Sequence, residues 1–370
     1  MKQREKVLIY YPFNMKSVAI QSQVKLLDSM GFEPWLLTWA PEGELHEKCR
    51  EAGAKTFSAF PGKNYRGIGF FVYHIFKLKR FCRENKISTV FSHLQSVGMT
   101  AGLAGIFSKV RSFYFRHNSD YFQIRNSRKE LFINKMANRF CEKVIAISDK
   151  VKDQLLKEGV KEEKIVRINL CYDFDDYGKA SEEAVTQIRD SYKPGFLLLA
   201  AARLDPLKRH TLCFDVVKRL AEQGVDVKLL CIGDGPEKEN LLQYITANGL
   251  EERVKILGFV ENIMDYFTAC DMLIHLSYSE ASSHVAKEAG ICRKPIVVCR
   301  DVGDFEEYLA DRKNAFLVDK EAPVEATVRL IRDFHNDKKM LGHLGDDLHG
   351  TVLDKFSIES AKPAYKGILG

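Results

Sequence analysis

At 370 residues, 45% hydrophobic and with a net charge of +6, the chain exceeds what one hydrophobic core supports and predicts two domains. No apolar run reaches the ~18 residues of a membrane span, and the opening Met1-Lys-Gln-Arg-Glu-Lys6 precedes only a short strand, so neither a spanning helix nor a signal peptide is expected. Nine cysteines, an odd number without a C-x-x-C spacing, read as reduced thiols of a cytoplasmic protein rather than a disulfide or zinc framework.

In chain order, Lys6-Val-Leu-Ile-Tyr10 begins a strand that runs to Tyr11, and Ala19 to Met30 is a helix ended by Gly31. Further strands are predicted over Pro34 to Trp39, Thr89 to Ser92, Ser112 to Phe115, Lys143 to Ser148 and Lys164 to Asn169, with a helix from Asp149 to Glu158 closed by Gly159. His93 and His117 each follow a strand, the place where open α/β sheets collect ligands. Tyr65 to Arg83 mixes aromatics with cations, which suits either a helix lying on an anionic membrane or a core helix with a basic outer face. Charge is uneven: residues 1–145 hold 24 Lys and Arg against 11 Asp and Glu, a net of +13, while residues 191–370 hold 24 against 28, a net of −4. No recognition motif accompanies that charge, so nucleic acid is not an expected partner. The polar stretch Asp173 to Pro194 reads as the connection between domains. It contains Asp173-Phe-Asp175, a manganese motif in other transferases, but its surroundings favour solvated charges, and no metal is expected.

The second half repeats one pattern. Phe196 to Ala202 is an apolar strand leading to Arg203, Lys208 and a helix from Leu212 to Gln223, closed by Gly224. Two cations at a helix start meet the positive end of its dipole; a bound anion explains them. Val227 to Ile232 runs into Gly233-Asp-Gly235-Pro236, a tight turn with a helix expected from Pro236. This is not a dinucleotide fingerprint, because the third glycine is absent. Val254 to Val260 is another strand. Met272 to Leu276 then leads to Glu280, to Ser282 and Ser283 as candidate N-caps, and to a helix from His284 that carries Glu288 and ends at Gly290. About two helical turns separate the glutamates by roughly 12 Å, which suits the two ends of an elongated ligand and is too wide for carboxylates flanking one scissile bond. A diphosphate fits between them at the helix end, making a nucleotide-sugar the leading ligand. The same spacing also occurs on solvated helix faces.

Together Arg203…Lys208, Gly233-Asp-Gly-Pro236, Gly258-Phe-Val260 and Glu280…Glu288 stand in the order found in retaining glycosyltransferases of family 4, which residues 195–320 resemble closely and the first 190 loosely. That resemblance implies the GT-B fold: two α/β Rossmann-like domains facing across a cleft. It places an acceptor-side domain at 1–176, rejoined by a terminal helix over about 354–370, a linker at 177–193 and a nucleotide-sugar domain at 194–353. It implies that Arg203 and Lys208 hold the diphosphate, Glu288 the ribose and Glu280 the donor sugar, with Gly258, Phe259 and Val260 bordering the base. Gly233 and Gly235 would form the turn beside the donor, and His117 resembles the histidine that approaches the donor sugar. The family's glycines after the first glutamate are replaced by Ala281-Ser-Ser-His284, and its Gly-rich loop after the first strand by Pro12 to Ser17. The expectation is a retaining, metal-independent transferase without a cofactor, moving a sugar from a nucleoside diphosphate, UDP first among them. Its acceptor would be a glycan or lipid-linked molecule of surface polysaccharide synthesis, met in the cytoplasm or at the inner face of a membrane. A nucleotide-sugar epimerase of similar fold and an inactive nucleotide-sugar-binding protein are the alternatives.

Overall fold

A computed structural model describes residues 4–62, 67–106 and 108–370. The chain divides into two compact units, residues 1–176 with 356–370 and residues 177–355.

The first unit is a seven-stranded, wholly parallel sheet. Its strands are β1 (Lys6–Tyr11), β2 (Glu33–Thr38), β3 (Lys55–Ser58), β4 (Thr89–His93), β5 (Arg111–Arg116), β6 (Lys143–Ala146) and β7 (Ile165–Arg167), in the order β3-β2-β1-β4-β5-β6-β7. Helices cover both faces, so the central strands are buried throughout: Val7, Leu8, Ile9, Phe91, Phe113 and Ile145 expose nothing. The strand expected over 143–148 stops at Ala146 because Ser148 caps the next helix, its Oγ accepting from the Val151 amide at 3.2 Å. The strand expected over 164–169 shortens to Ile165–Arg167 at the sheet edge. The helix Ile358–Leu369 packs into this unit, burying Tyr365, Ile368 and Leu369 among the residues of β1, β4 and β5.

The second unit is a six-stranded parallel sheet, with β8 (Phe196–Ala201), β9 (Val227–Ile232), β10 (Val254–Gly258), β11 (Met272–His275), β12 (Ile296–Cys299) and β13 (Phe316–Val318) in the order β10-β9-β8-β11-β12-β13. The order reverses between β8 and β11, so the loops leaving those two strands diverge to opposite faces and open a crevice between them. Residues 177–193 are more than a connection: they contain the helix Glu182–Tyr192, and the Arg189 guanidinium donates to the Ala269 carbonyl at 3.1 Å and to both Asp271 carboxylate oxygens at 2.8 and 3.1 Å. Asp173 and Asp176, upstream of it, accept from Lys25 Nζ at 2.6 and 2.7 Å, a structural use of the acidic run.

Candidate active site

Around the crevice of the second unit, β8 delivers Arg203 and β9 delivers the Gly233–Pro236 turn. The two loops are zipped together, with Ala202 N–H donating to Ile232, Leu204 N–H to Asp234 and Glu237 N–H to Leu204. A Cβ on Gly233 would lie 2.1 Å from the Ala202 carbonyl oxygen and one on Gly235 2.3 Å from that of Leu204. Their small size therefore serves the approach of one backbone to another. The following helix is Lys238–Ala247, two residues later than Pro236.

Four candidate residues line one cavity of about 470 Å³: Arg203, Gly233, Phe259 and Glu288. Phe259 is 84% exposed, an aromatic face presented at the end of β10. Burial among neighbours such as Ile263 and Val285 raises the Glu288 carboxyl to about 7, against a lowering influence of Lys287. Gly258 is held beside the turn by the Gly233 N–H, which donates to its carbonyl at 2.9 Å; Gly235, Gly258 and Val260 do not line the cavity.

Lys208 and Glu280 form a separate cluster. Asp205 caps the Pro206–Lys208 turn, its Oδ1 accepting from Leu207 N–H at 3.1 Å, and Lys208 Nζ lies 2.5 Å from Glu280 Oε1. His275, from the end of β11, donates through Nε2 to the same oxygen at 2.6 Å. Burial alone would raise the Glu280 carboxyl, but the Lys208 charge and the His275 hydrogen bond outweigh it and hold the group well below the usual carboxylate range. Burial, helped by the nearby Lys208 charge, pushes His210 down to about 4 and keeps it neutral. Lys208 is thus matched by a carboxylate within the protein, where the sequence suggested an unmatched cation. Arg209, unremarked in sequence, donates to the carbonyls of Leu276 (2.7 Å) and Lys320 (2.8 Å) and so fixes the loops after β11 and β13.

The helix His284–Ile291 does not begin as the sequence suggests. Ser283 stands at its N-cap without a side-chain cap bond, and Ser282 Oγ instead donates to Asp304 Oδ2 at 2.7 Å. The Asp304 carboxylate takes the helix end, accepting from Ser283 N–H at 3.2 Å and from Lys287 Nζ. A carboxylate is favoured there by the helix dipole, and the buried Lys287 holds it in place. Lys287 also donates to Ser282 Oγ at 2.8 Å and lies 4.9 Å from the ring centre of Tyr308.

In the first unit, His93 and His117 meet at the carboxyl ends of β4 and β5, with His93 Nδ1 2.9 Å from His117 Nε2. Gln23 accepts from His93 Nε2–H at 2.8 Å and donates to the Tyr365 hydroxyl at 2.8 Å. Burial and the neighbouring His117 lower His93 well below its ordinary value, so it is neutral; with its proton on Nε2, its Nδ1 accepts from His117. Arg116 shapes the turn that carries His117 by pairing with Glu158 at 2.5 and 2.7 Å and donating to the Asn118 and Ser119 carbonyls.

The family model "Glycosyl transferases group 1" matches residues 181–347, and "Glycosyltransferase Family 4" matches residues 17–176. An uncharacterized glycosyltransferase of Methanocaldococcus jannaschii is 24% identical over 354 residues, covering 92% of this chain and 91% of its own. N-acetyl-alpha-D-glucosaminyl L-malate synthase of Bacillus anthracis is 26% identical over 209 residues, 54% of this chain and 53% of that protein. Among solved structures, HepE of Anabaena in complex with UDP and glucose superposes with a TM-score of 0.84 at 21% identity, covering 99% of both chains. With its two parallel-sheet units, the chain has the GT-B fold.

Proposed function

Because the chain is a group 1 glycosyltransferase of the family 4 type, we propose that it transfers a sugar from UDP to a glycan or lipid-linked acceptor of surface polysaccharide synthesis, with retention of configuration and without a metal. The observation that carries this reading is the single cavity lined by Arg203, Phe259 and Glu288 at the sheet's switch point, which offers a cation, an aromatic face and a carboxylate to one elongated ligand. The UDP and glucose bound by HepE favour the same donor class.

In this reading Phe259 and the Gly258–Val260 segment border the base, Glu288 accepts from the ribose hydroxyls, and Arg203 with Lys208 receives the diphosphate. Glu280, ionised by Lys208 and His275, is placed to accept from the donor sugar's hydroxyls. His117 is assigned, by resemblance, to the sugar as well. The bond from the sugar's anomeric carbon to the diphosphate breaks, and its electron pair goes to the departing oxygen. The acceptor oxygen bonds to that carbon on the same face, and its proton passes to the departing phosphate. Fixed positive charge at the leaving oxygen is the main contribution asked of the protein. Lys208 can give this only by sharing its interaction with Glu280, which also keeps the ammonium oriented before the donor arrives.

Melting curves and a UDP-release assay with excess EDTA test the proposal together. UDP or a UDP-sugar at a hundredfold over its Kd should stabilise the fold by ~2.7 kcal/mol, and free UDP should appear only when acceptor is supplied. Stabilisation without any release would favour a binding protein, and turnover of the donor without acceptor an epimerase. Activity abolished by EDTA would remove the metal-independent mechanism.

A further inference from the structure

The helix Ile68–Asn85 of the first unit buries one stripe, His74, Leu78 and Cys82, against its own sheet. Its outer side is apolar as well: Ile68, Val72 and Phe76, spaced by four and therefore on one face, are 82%, 43% and 68% exposed. Lys79, Arg80 and Arg83 stand exposed alongside them, and Lys77 is exposed on another side of the helix. Where the helix ends, a cavity of about 820 Å³ opens between it and the residues leading into β4 and β5. Lys79, Arg80, Arg83, Lys86 and Lys109 line its walls, together with apolar groups that include Phe76, Ile87 and Val110. Arg80 is paired with Glu84 at 2.7 Å; among the described residues no ion pair neutralises the other four. Crowding four uncompensated cations around an apolar recess has no stabilising purpose in the unliganded fold.

We propose that this recess binds the phosphate-bearing headgroup of an anionic phospholipid while Ile68, Val72 and Phe76 enter the bilayer boundary, anchoring the first unit to a membrane. The charge complementarity accounts for the cations, and the exposed stripe beside them fits a lipid, since a free anion would leave those side chains in water. The inference rests on the reading of the aromatics and cations of Tyr65 to Arg83 as a helix lying on an anionic membrane, and adds where that contact is made and by which chemistry. It also separates anchor from acceptor. The recess lies where the chain enters β4 and β5, whereas His93 and His117 stand where it leaves them, one strand length or roughly 17 Å away. A lipid held there is not the molecule that receives the sugar.

The test is co-sedimentation of the full chain with vesicles of phosphatidylcholine alone and of phosphatidylcholine mixed with phosphatidylglycerol. It uses wild type, a Lys86→Glu/Lys109→Glu double variant and a Val72→Ser/Phe76→Ser double variant, each checked by circular dichroism and by an unchanged melting shift with UDP. The wild type should bind the mixed vesicles only. Each double variant should lower partitioning on the order of tenfold or more, the Lys86→Glu/Lys109→Glu variant because each surface cation contributes ~1 kcal/mol near an anionic membrane, and the Val72→Ser/Phe76→Ser variant because it removes the apolar surface that enters the bilayer boundary. No binding by wild type would remove the peripheral contact altogether. Equal binding by wild type and the Lys86→Glu/Lys109→Glu variant would leave a membrane contact but overturn the recess as its site. Glycerol phosphate in solution competing fully with vesicles would make this a free-anion site, and a dimer dissolved by Phe76→Ser would make the stripe a contact between two copies; either result overturns the anchor.

Discussion

Glu280 and Glu288 are the same residue type, one just before a single short helix and one within it, yet their surroundings drive them in opposite directions. Glu280 shares one oxygen with Lys208 and His275 and is ionised far into the acid range. Among the described residues no cation is in hydrogen-bond contact with Glu288, and burial raises it to about 7. Environment rather than identity sets what each carboxyl does. One is a permanent charge that orients a lysine; the other changes charge near neutrality, at the place proposed above for the nucleotide.

The largest disturbance of this contrast should come from the element that fixes the helix carrying Glu288. Asp304→Ala removes the buried carboxylate that pairs with Lys287, and breaking such a pair costs about 3–5 kcal/mol. Urea unfolding should show that loss, and combining it with Lys287→Met should recover most of it, since an apolar pair of similar volume is often neutral. No recovery would mean the pair matters through the Ser282 and Ser283 contacts instead.

Next in size are Arg203→Ala and Lys208→Ala, each expected to raise the barrier by ~3 kcal/mol, about a hundredfold in kcat, because in the function proposed above both act on charge that develops as the diphosphate leaves. Glu288→Ala should act differently, raising the donor KM with kcat nearly kept, since a ribose hydrogen bond is made equally in ground and transition states. Near wild-type kcat in folded Arg203→Ala and Lys208→Ala proteins would remove the phosphate site from this crevice.

The pH dependence separates the two glutamates most sharply. Glu288 has a raised value in the fold, so between about 4.5 and about 7 the folded state holds a proton that the unfolded state has released. Stability therefore falls as pH rises through that window and levels off above it. Glu280 is depressed, so its contribution is complete above about 4.5 and is lost only as pH falls below that. Melting temperatures of wild type and Glu288→Gln across pH 4.5–8 should differ in slope below 7 and run parallel above it. Identical slopes would mean that Glu288 is ordinary.

The sheets were largely legible because parallel strands buried on both faces are continuous apolar runs: Phe196-Leu-Leu-Leu-Ala-Ala-Ala202 and Val227-Lys-Leu-Leu-Cys-Ile232 can hardly be anything else. The loops after them, and hence Arg203, Phe259 and Glu288, could be located for the same reason. What stayed hidden has particular causes. The helix Gln95–Gly105 is rich in small residues and lacks an apolar stripe; Gly98 lies so close to Tyr114 that a Cβ there would come 2.6 Å from its ring. The helix Glu182–Tyr192 is disguised by an acidic first turn, although Ser181 caps it. β3 is four residues at a sheet edge. Asp304 reaches the start of a helix 20 residues earlier, and Lys287 looks like a solvated charge until its partner is known; no local pattern encodes a contact of that kind. His275 ends an apolar strand, where a lone polar residue was the available signal.

The Gln23–Tyr365 hydrogen bond joins residues 342 positions apart, and through Gln23 it reaches His93 and His117. Closing that contact requires the helix Ile358–Leu369, which is synthesised after every residue of the second unit. During translation, therefore, the second unit can fold while the first is still missing a helix from its core. The unit that emerges first is completed last, and its histidine pair acquires its full hydrogen-bonded support only at that closing step.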